Sequence, residues 1–190
     1  MLILASSSTY RQTLLERLGL PFTSVAPDID ETPLPGESPR ALVARLSEQK
    51  ARVVAETHPD ALIIGSDQVS VRDGEIIGKP HTHARAIEQL RASSGRQIDF
   101  LTGLCLLNAA TDTAHVVIEP FSVRFRPLSD DAIERYLRAD TPYDCAGSFK
   151  LEGRGITLFS ALDGRDPNAL IGLPLIALVD LLQREGVAVP

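Results

Sequence analysis

Apolar residues along the chain fall into two kinds of pattern. Leu2-Ile3-Leu4-Ala5 and Ala61-Leu62-Ile63-Ile64-Gly65 are short unbroken runs, which predict buried strands. Other stretches carry their apolar residues at helical spacing. Leu14, Leu15 and Leu18 form one such set, with Gly19 as a stop signal. Leu42, Leu46, Gln49 and Val53 share a face of a second helix that opens at Ser38-Pro39, and Lys50 lies one turn beyond Leu46. Thr82 to Ser93 forms a third, with Ala86 and Leu90 inward. Ser129-Asp130-Asp131 caps a helix running through Leu137, and Leu173 to Gln183 forms a terminal helix ended near Gly186.

Further strands are predicted over 22–26, 97–107, 114–125 and 156–159. The two long ones, joined by a polar turn near Asp112, make the clearest hairpin. The Ile63-Ile64 strand ends at Ser66-Asp67-Gln68, is continued by Val69 and Val71, and turns at Arg72-Asp73-Gly74. Residues 27–39 carry four prolines and several acids and read as a loop. The alternation of helices and strands, with a hairpin in the middle, predicts an α/β fold with a mixed sheet. No GxGxxG follows the first strand and no GxxxxGK[ST] occurs, so neither dinucleotide-binding nor P-loop chemistry is indicated. No repeat, low-complexity tract or linker divides the 190 residues, which read as one domain over 1–190.

Composition narrows the functional classes. Net charge is −6 and the sequence pI is near 5.2, so nonspecific binding to nucleic acid is disfavoured. A small anionic substrate is compatible if the cations gather in one place. Cys105 and Cys145 show no CxxC spacing and read as reduced thiols of a cytosolic protein. The apolar start turns polar at Ser6, too soon for a signal peptide, and no run is long enough to span a bilayer. A cytoplasmic protein with no membrane contact is the expectation.

The loop Ser6-Ser7-Ser8 leads from the first strand into the first helix. Its free backbone N–H groups and hydroxyls suit a phosphate. Arg11 follows in the first helical turn, where a bound phosphate would accept its forked N–H groups; simple capping beside a solvated arginine is the plainer alternative. Asp67 stands where an apolar strand leaves the core. It can hold a divalent cation or take a proton from water, or else merely close a turn. Glu31 in the acidic loop is a second oxygen ligand or an exposed acid. Lys50 and Lys79 complete a set that could hold a polyphosphate, though each alone reads as surface. The four histidines lack a supporting motif for zinc.

Six pieces, in order, then carry a resemblance: Ala5-Ser6-Ser7-Ser8-Thr9-Tyr10-Arg11, Asp30-Glu31, Glu48-Gln49-Lys50-Ala51, Gly65-Ser66-Asp67-Gln68, Gly78-Lys79-Pro80 and Gly172-Leu173-Pro174. Together they resemble the Maf family of nucleotide pyrophosphatases. Asp67-Gln68-Val69, the run Cys145 to Lys150 with Glu152-Gly153, and Gly164-Arg165-Asp166-Pro167-Asn168 are similar to the subgroup that acts on 7-methyl-GTP. The resemblance implies a curved mixed sheet flanked by helices, with two lobes and a central cleft, as in the inosine-triphosphatase group. It implies Asp67 as the general base. It implies Ser6, Ser8, Arg11, Lys50 and Lys79 at the phosphates, with Glu31 and Asp67 at a divalent cation (Mg²⁺, Mn²⁺ or Co²⁺). Tyr10, Gln68 and Glu152 match positions tied to substrate choice. A homodimer is suggested as well. Thr9 stands where the family has proline, Gln12 where it has a second arginine, and Tyr10 where the subgroup often has tryptophan. Cleavage of dTTP, UTP or other non-canonical nucleotides, and a nucleotide-binding regulator of cell division, remain alternative readings.

Overall fold

The structure is a computed structural model that describes residues 1–189. In chain order its elements are β1 (Leu2–Ala5), α1 (Thr9–Glu16), β2 (Thr23–Ser24), α2 (Pro39–Ala55), β3 (Leu62–Arg72), β4 (Glu75–Ile77), α3 (His83–Ser93), β5 (Gln97–Asn108), β6 (Thr113–Phe125), α4 (Asp130–Asp140), β7 (Phe159–Gly164), α5 (Pro167–Ile171) and α6 (Leu175–Arg184). The strands form one mixed sheet in the order β2-β1-β3-β5-β6-β7, with β4 beside β3. β1 runs parallel to β2 and β3, whereas β4 on β3 and β7 on β6 are antiparallel. The mixed α/β class read from the sequence is the one found.

The chain separates into two compact units. The first holds Met1–Gln68, Leu101–Glu119 and the chain from Asp166 onward. Its strands show why their sequences are unbroken apolar runs. Leu2, Leu4, Ile64, Leu104 and Leu106 enter one cluster with Leu14, Leu15, Leu178 and Leu182 of α1 and α6. Ile3, Ala5, Ile63, Cys105 and Leu107 enter another with Ala51 and Val54 of α2. Successive residues point to opposite faces, and helices cover both faces, so every position is apolar. At roughly 25 cal/mol per Å² of buried apolar surface, these two layers are the main stabilising contribution in this unit.

The second unit holds Val69–Phe100 and Pro120–Arg165. Its core includes Phe100, Phe125, Phe149 and Phe159, packed edge to face with ring centroids 4.8 to 5.9 Å apart. α3 and α4 pack against each other here.

Helix starts follow capping chemistry. Ser8, Ser38, Thr82, Ser129 and Asp166 each accept a backbone N–H at the N-terminus of their helices. β3 runs without a break through Ser66-Asp67-Gln68 to Arg72, so the continuation marked by Val69 and Val71 belongs to the same strand. Its polar residues stay in the strand because they find acceptors inside the protein. Ser66 Oγ lies 2.9 Å from the carbonyls of Gly103 and Gly172, and Ser70 Oγ donates to the Ile77 carbonyl at 2.7 Å. The stretch 156–159 is not a strand. Residues Arg154–Leu158 form a 3₁₀ turn, and the strand begins at Phe159. A side chain on Gly155 would lie 2.2 Å from the Lys150 carbonyl, so the turn depends on that glycine. The strand expected over 22–26 shrinks to Thr23–Ser24. Helix α5 is too short to leave a periodic signal, though Asp166-Pro167 marks its start.

Candidate active site

Residues Ile63, Gly65 and Asp67 alternate with Ile64, Ser66 and Gln68 along β3, so the two sets point to opposite faces of the sheet. The first set faces α2. Gly65 lets that helix come close: a Cβ there would lie 2.0 Å from the Ser47 carbonyl. Gly103 on the neighbouring β5 does the same, with a Cβ position 2.1 Å from the Val43 carbonyl. Two glycines on adjacent strands therefore seat α2 directly on the sheet.

This close approach delivers Lys50 to Asp67. Lys50 Nζ donates to Asp67 Oδ1 at 2.6 Å, with the residues only 5% and 7% exposed. The same ammonium lies 2.7 Å from Glu31 Oε1. Two carboxylates thus converge on one cation. Losing Lys50 leaves the buried Asp67 charge without this partner, at a cost of up to about 3–5 kcal/mol, whereas the exposed Glu31 contributes about 1 kcal/mol or less.

Glu31 reaches in from the acidic proline-rich loop, and its side chain remains 59% exposed. That loop is fastened to α2. Arg45 grips Glu37 through two parallel bonds of 2.7 Å and donates to the Thr32 carbonyl at 3.2 Å. Glu37 also accepts the Leu34 N–H at 3.0 Å. The Arg45 fork and this N–H hold the Glu37 carboxyl down at about 2. Asp30 accepts the Thr32 N–H at 2.9 Å and tightens the turn beside Glu31.

The serine loop supplies a second group of residues. Ser8 caps α1 by accepting the Arg11 N–H at 3.4 Å, and Ser6 Oγ accepts the Ser8 N–H at 3.1 Å. The Arg11 side chain does not lie free in solvent. Its Nε donates to the Gly172 carbonyl at 2.8 Å, and its Nη1 lies 3.5 Å from Ser6 Oγ. Burial pushes the guanidinium pKa down, while the negative charges of Asp67 and Glu31 push it back up. Arg11 therefore sits in the field of both carboxylates.

The opposite face of β3 carries Gln68. Its Nε2 faces Thr102 Oγ1 at 3.0 Å and the carbonyls of Ala169 and Leu170 at 2.6 and 3.1 Å. Carbonyls only accept, so the amide nitrogen is the group that points at them. The Gln68 donors are engaged by the chain itself, and only its carbonyl oxygen is left for a ligand.

The structure thus brings Ser6, Arg11, Glu31, Lys50 and Asp67 into one constellation within the first unit, with Ser8 shaping the loop beside it. Tyr10 is half-buried on α1. Lys79 and Glu152 belong to the second unit, where both are exposed. Sequence reasoning did not find the supports: Ser66, the Gly172 carbonyl, Gly65 with Gly103, and the Arg45–Glu37 clamp. Gly172-Leu173-Pro174 was visible as a motif, but nothing in it announces a carbonyl acceptor for Arg11.

Glu31 and Asp67 are the residues suited to a metal ion. Among the described residues no group of three or more His, Cys, Asp or Glu converges, and a Mg²⁺ site that takes substrate phosphates needs only one or two carboxylates.

Known proteins share this chain's features. A 7-methyl-GTP pyrophosphatase of Nitrosococcus oceani is 60% identical over 185 residues, which is 97% of this chain and 93% of that protein. Proteins of the same name from Pseudomonas syringae pv. tomato and Pseudomonas aeruginosa are 59% and 57% identical over 189 residues, each covering 100% of this chain and 98% of the relative. Among solved structures, the Staphylococcus aureus Ham1 protein matches with a TM-score of 0.57 at 14% identity, over 97% of this chain and 98% of that one, which is a likeness of fold. The family described as Maf-like protein matches residues 1–185, and this chain belongs to it.

Proposed function

We propose that this chain is a hydrolase that cuts 7-methyl-GTP into the nucleoside monophosphate and pyrophosphate, and so removes a modified nucleotide from the cellular pool. The observation that carries the reading is the Lys50 ammonium held by both Asp67 and Glu31, beside Arg11. Full-length relatives named for this activity support the choice of substrate.

In this reading Asp67 orients a water molecule and accepts its proton. The water oxygen bonds to the α-phosphorus, and the bond from that phosphorus to the bridging oxygen breaks. Pyrophosphate leaves with the bonding electrons. Lys50 and Arg11 offset the negative charge that builds on it, and the Ser6 and Ser8 hydroxyls donate to its oxygens, since the backbone N–H groups of Ser6 and Ser8 are engaged by the chain itself. Lys79 is read as a further phosphate contact from its motif Gly78-Lys79-Pro80. Ser6 and Ser8 keep that loop in shape.

A divalent cation fits the donor set. The Glu31 and Asp67 oxygens already converge on one positive centre, and hard carboxylate oxygens suit Mg²⁺ or Mn²⁺. When bound, such an ion supplies charge neutralisation at the phosphates.

Specificity is assigned to Tyr10, Gln68 and Glu152. A 7-methylguanine ring is positively charged, which favours an aromatic face such as Tyr10. Its N1 and N2 groups are donors, which matches the acceptor-only Gln68 and the Glu152 carboxylate. The reading places the enzyme in the cytoplasm. It has free thiols at Cys105 and Cys145, and no described helix is long and apolar enough to cross a membrane. A homodimer is the proposed assembly.

The test is pyrophosphate release from purified protein with Mg²⁺ or Mn²⁺, across 7-methyl-GTP, GTP, dTTP and UTP. The 7-methylated nucleotide is expected to have the highest kcat/KM. Asp67→Asn is expected to lower kcat by about 10²–10⁴ for every nucleotide, the range of a general base. Normal turnover by Asp67→Asn would remove the base assignment, and equal rates for all four nucleotides would remove the substrate assignment.

A further inference from the structure

Two motifs of the second unit meet in space although 59 positions separate the residues that join them. Lys79 follows β4 in Gly78-Lys79-Pro80. It is exposed and takes part in no ion pair or hydrogen bond among the described residues. The peptide before it is held. The Gly78 carbonyl accepts from Gln89 Nε2 of α3 at 3.0 Å. The Gln89 Oε1 in turn accepts from the Ser148 hydroxyl. Ser148 is fully buried.

Ser148 reaches Gln89 through an unusual backbone. Gly147 and Ser148 both have positive φ, +75° and +63°. A Cβ on Gly147 would press on the rings of Phe100 and Phe149 at 3.3 Å. Left-handed geometry at a serine costs free energy, yet here it aims the hydroxyl inward.

The peptide after Lys79 is held as well. The His81 N–H donates to the Tyr143 carbonyl at 3.0 Å, and His81 itself has φ of +60°. The Tyr143 hydroxyl pairs with His83 Nδ1 at 2.8 Å, and His83 Nε2 pairs with Glu134 at 2.8 Å. Pro80 restricts the backbone of Lys79 from the other side. A solvated lysine thus stands on a backbone clamped at both ends by residues 143–148 and their partners. Surface lysines in ordinary loops have no such support.

We infer that Ser148 and Gln89 are positioning residues for Lys79. They fix the Gly78 peptide and so hold the Lys79 ammonium ready for an anionic polyphosphate. The role of the buried serine in the Cys145–Lys150 run is then to set the reach of a cation far away in sequence. This inference rests on the reading of Lys79 as a phosphate contact.

The experiment is a double-mutant cycle on nucleotide hydrolysis. Ser148→Gly removes the hydroxyl and suits the positive φ. Gln89→Met keeps the length and removes both hydrogen bonds. Each is expected to lower kcat/KM about tenfold in the otherwise unchanged chain, and less than about twofold when Lys79→Ala is already present. A role limited to folding would lower activity equally in both backgrounds, and that result would overturn the inference. Thermal unfolding of each variant separates lost stability from lost positioning. If Lys79→Ala is as active as the parent, the Lys79 reading fails and takes this inference with it. If Lys79→Ala is impaired but the cycle is additive, only the positioning role falls. Gln89→Met guards against a folding failure of Ser148→Gly.

Discussion

Arg11 Nε donates to the main-chain carbonyl of Gly172 at 2.8 Å, across 161 positions of sequence. That carbonyl also lies 2.9 Å from Ser66 Oγ of β3. One oxygen thus ties the first helix, the central strand and the end of α5 together. The bond takes one edge of the guanidinium and Nη1 lies 3.5 Å from Ser6 Oγ; in the proposed function the N–H groups not so engaged serve phosphate oxygens.

This arrangement separates charge from geometry at Arg11. Lysine keeps the charge but cannot grip a carbonyl and a phosphate from one rigid plane. Arg11→Lys is expected to raise KM for the nucleotide about tenfold, the size of one charge-assisted hydrogen bond. Gly172→Ala acts from the other side. Gly172 has φ of +122°, and a Cβ there would meet Arg11 Nε at 3.4 Å. It is expected to destabilise the fold by about 1–3 kcal/mol through backbone strain. Steady-state kinetics together with thermal unfolding distinguish the two. Arg11→Lys moves KM and lowers stability only by the lost hydrogen bond to Gly172, about 1 kcal/mol, whereas Gly172→Ala lowers stability further and moves KM as well.

Acid sensitivity is expected from the end of α6. Glu185 accepts from Asn108 Nδ2 at 2.7 Å and pairs with His115 Nε2 at 2.8 Å. Its carboxylate is only 12% exposed. The hydrogen bonds from Asn108 and His115 lower its pKa below the ordinary value of 4.5. A carboxylate with a depressed folded pKa stabilises the fold fully above its unfolded pKa. That contribution disappears as pH falls through the folded value. Unfolding free energy from urea titrations is therefore expected to decline as pH drops below about 4.5. In Glu185→Gln the slope in that window is shallower. An unchanged slope would show that this carboxylate does not couple to folding.

How much of this was legible beforehand follows from what each feature depends on. The runs Leu2–Ala5 and Ala61–Ile64 announced buried strands because layers on both faces demand apolar residues at every position. Ser8 as a cap and the hairpin of β5 and β6 follow from local rules. Val69 and Val71 mark the continuation of β3, but what satisfies Ser66 within it was not legible, since its acceptors are carbonyls from β5 and from the end of α5, distant in sequence. Asp67 was found as a candidate. Its partner Lys50 reads in the sequence as a phosphate contact, not as a partner of Asp67, because the pairing depends on how closely α2 approaches the sheet. The role of Gln68 as a donor to Ala169 and Leu170 depends on α5, an element with no periodic signature.

The closeness of α2 and β3 can itself be tested at Gly65. A methyl group there would sit 2.0 Å from the Ser47 carbonyl and 3.0 Å from the Ala51 nitrogen. Both are helix backbone, so no side chain can turn aside, and the helix must move. Overpacking of this kind costs about 1–3 kcal/mol. The movement carries Lys50, three residues beyond Ser47 on the same helix, away from a partner it now meets at 2.6 Å. Gly65→Ala is therefore expected to cause two losses of different origin. The melting temperature falls by the overpacking cost, and kcat falls because Asp67 loses its compensating cation. Gly103→Ala offers the comparison, since its Cβ would press on the Val43 carbonyl, about two helical turns from Lys50. It is expected to destabilise to a similar degree and to impair turnover less. If both glycine variants lose activity in proportion to stability alone, the helix position does not control the Lys50–Asp67 pair.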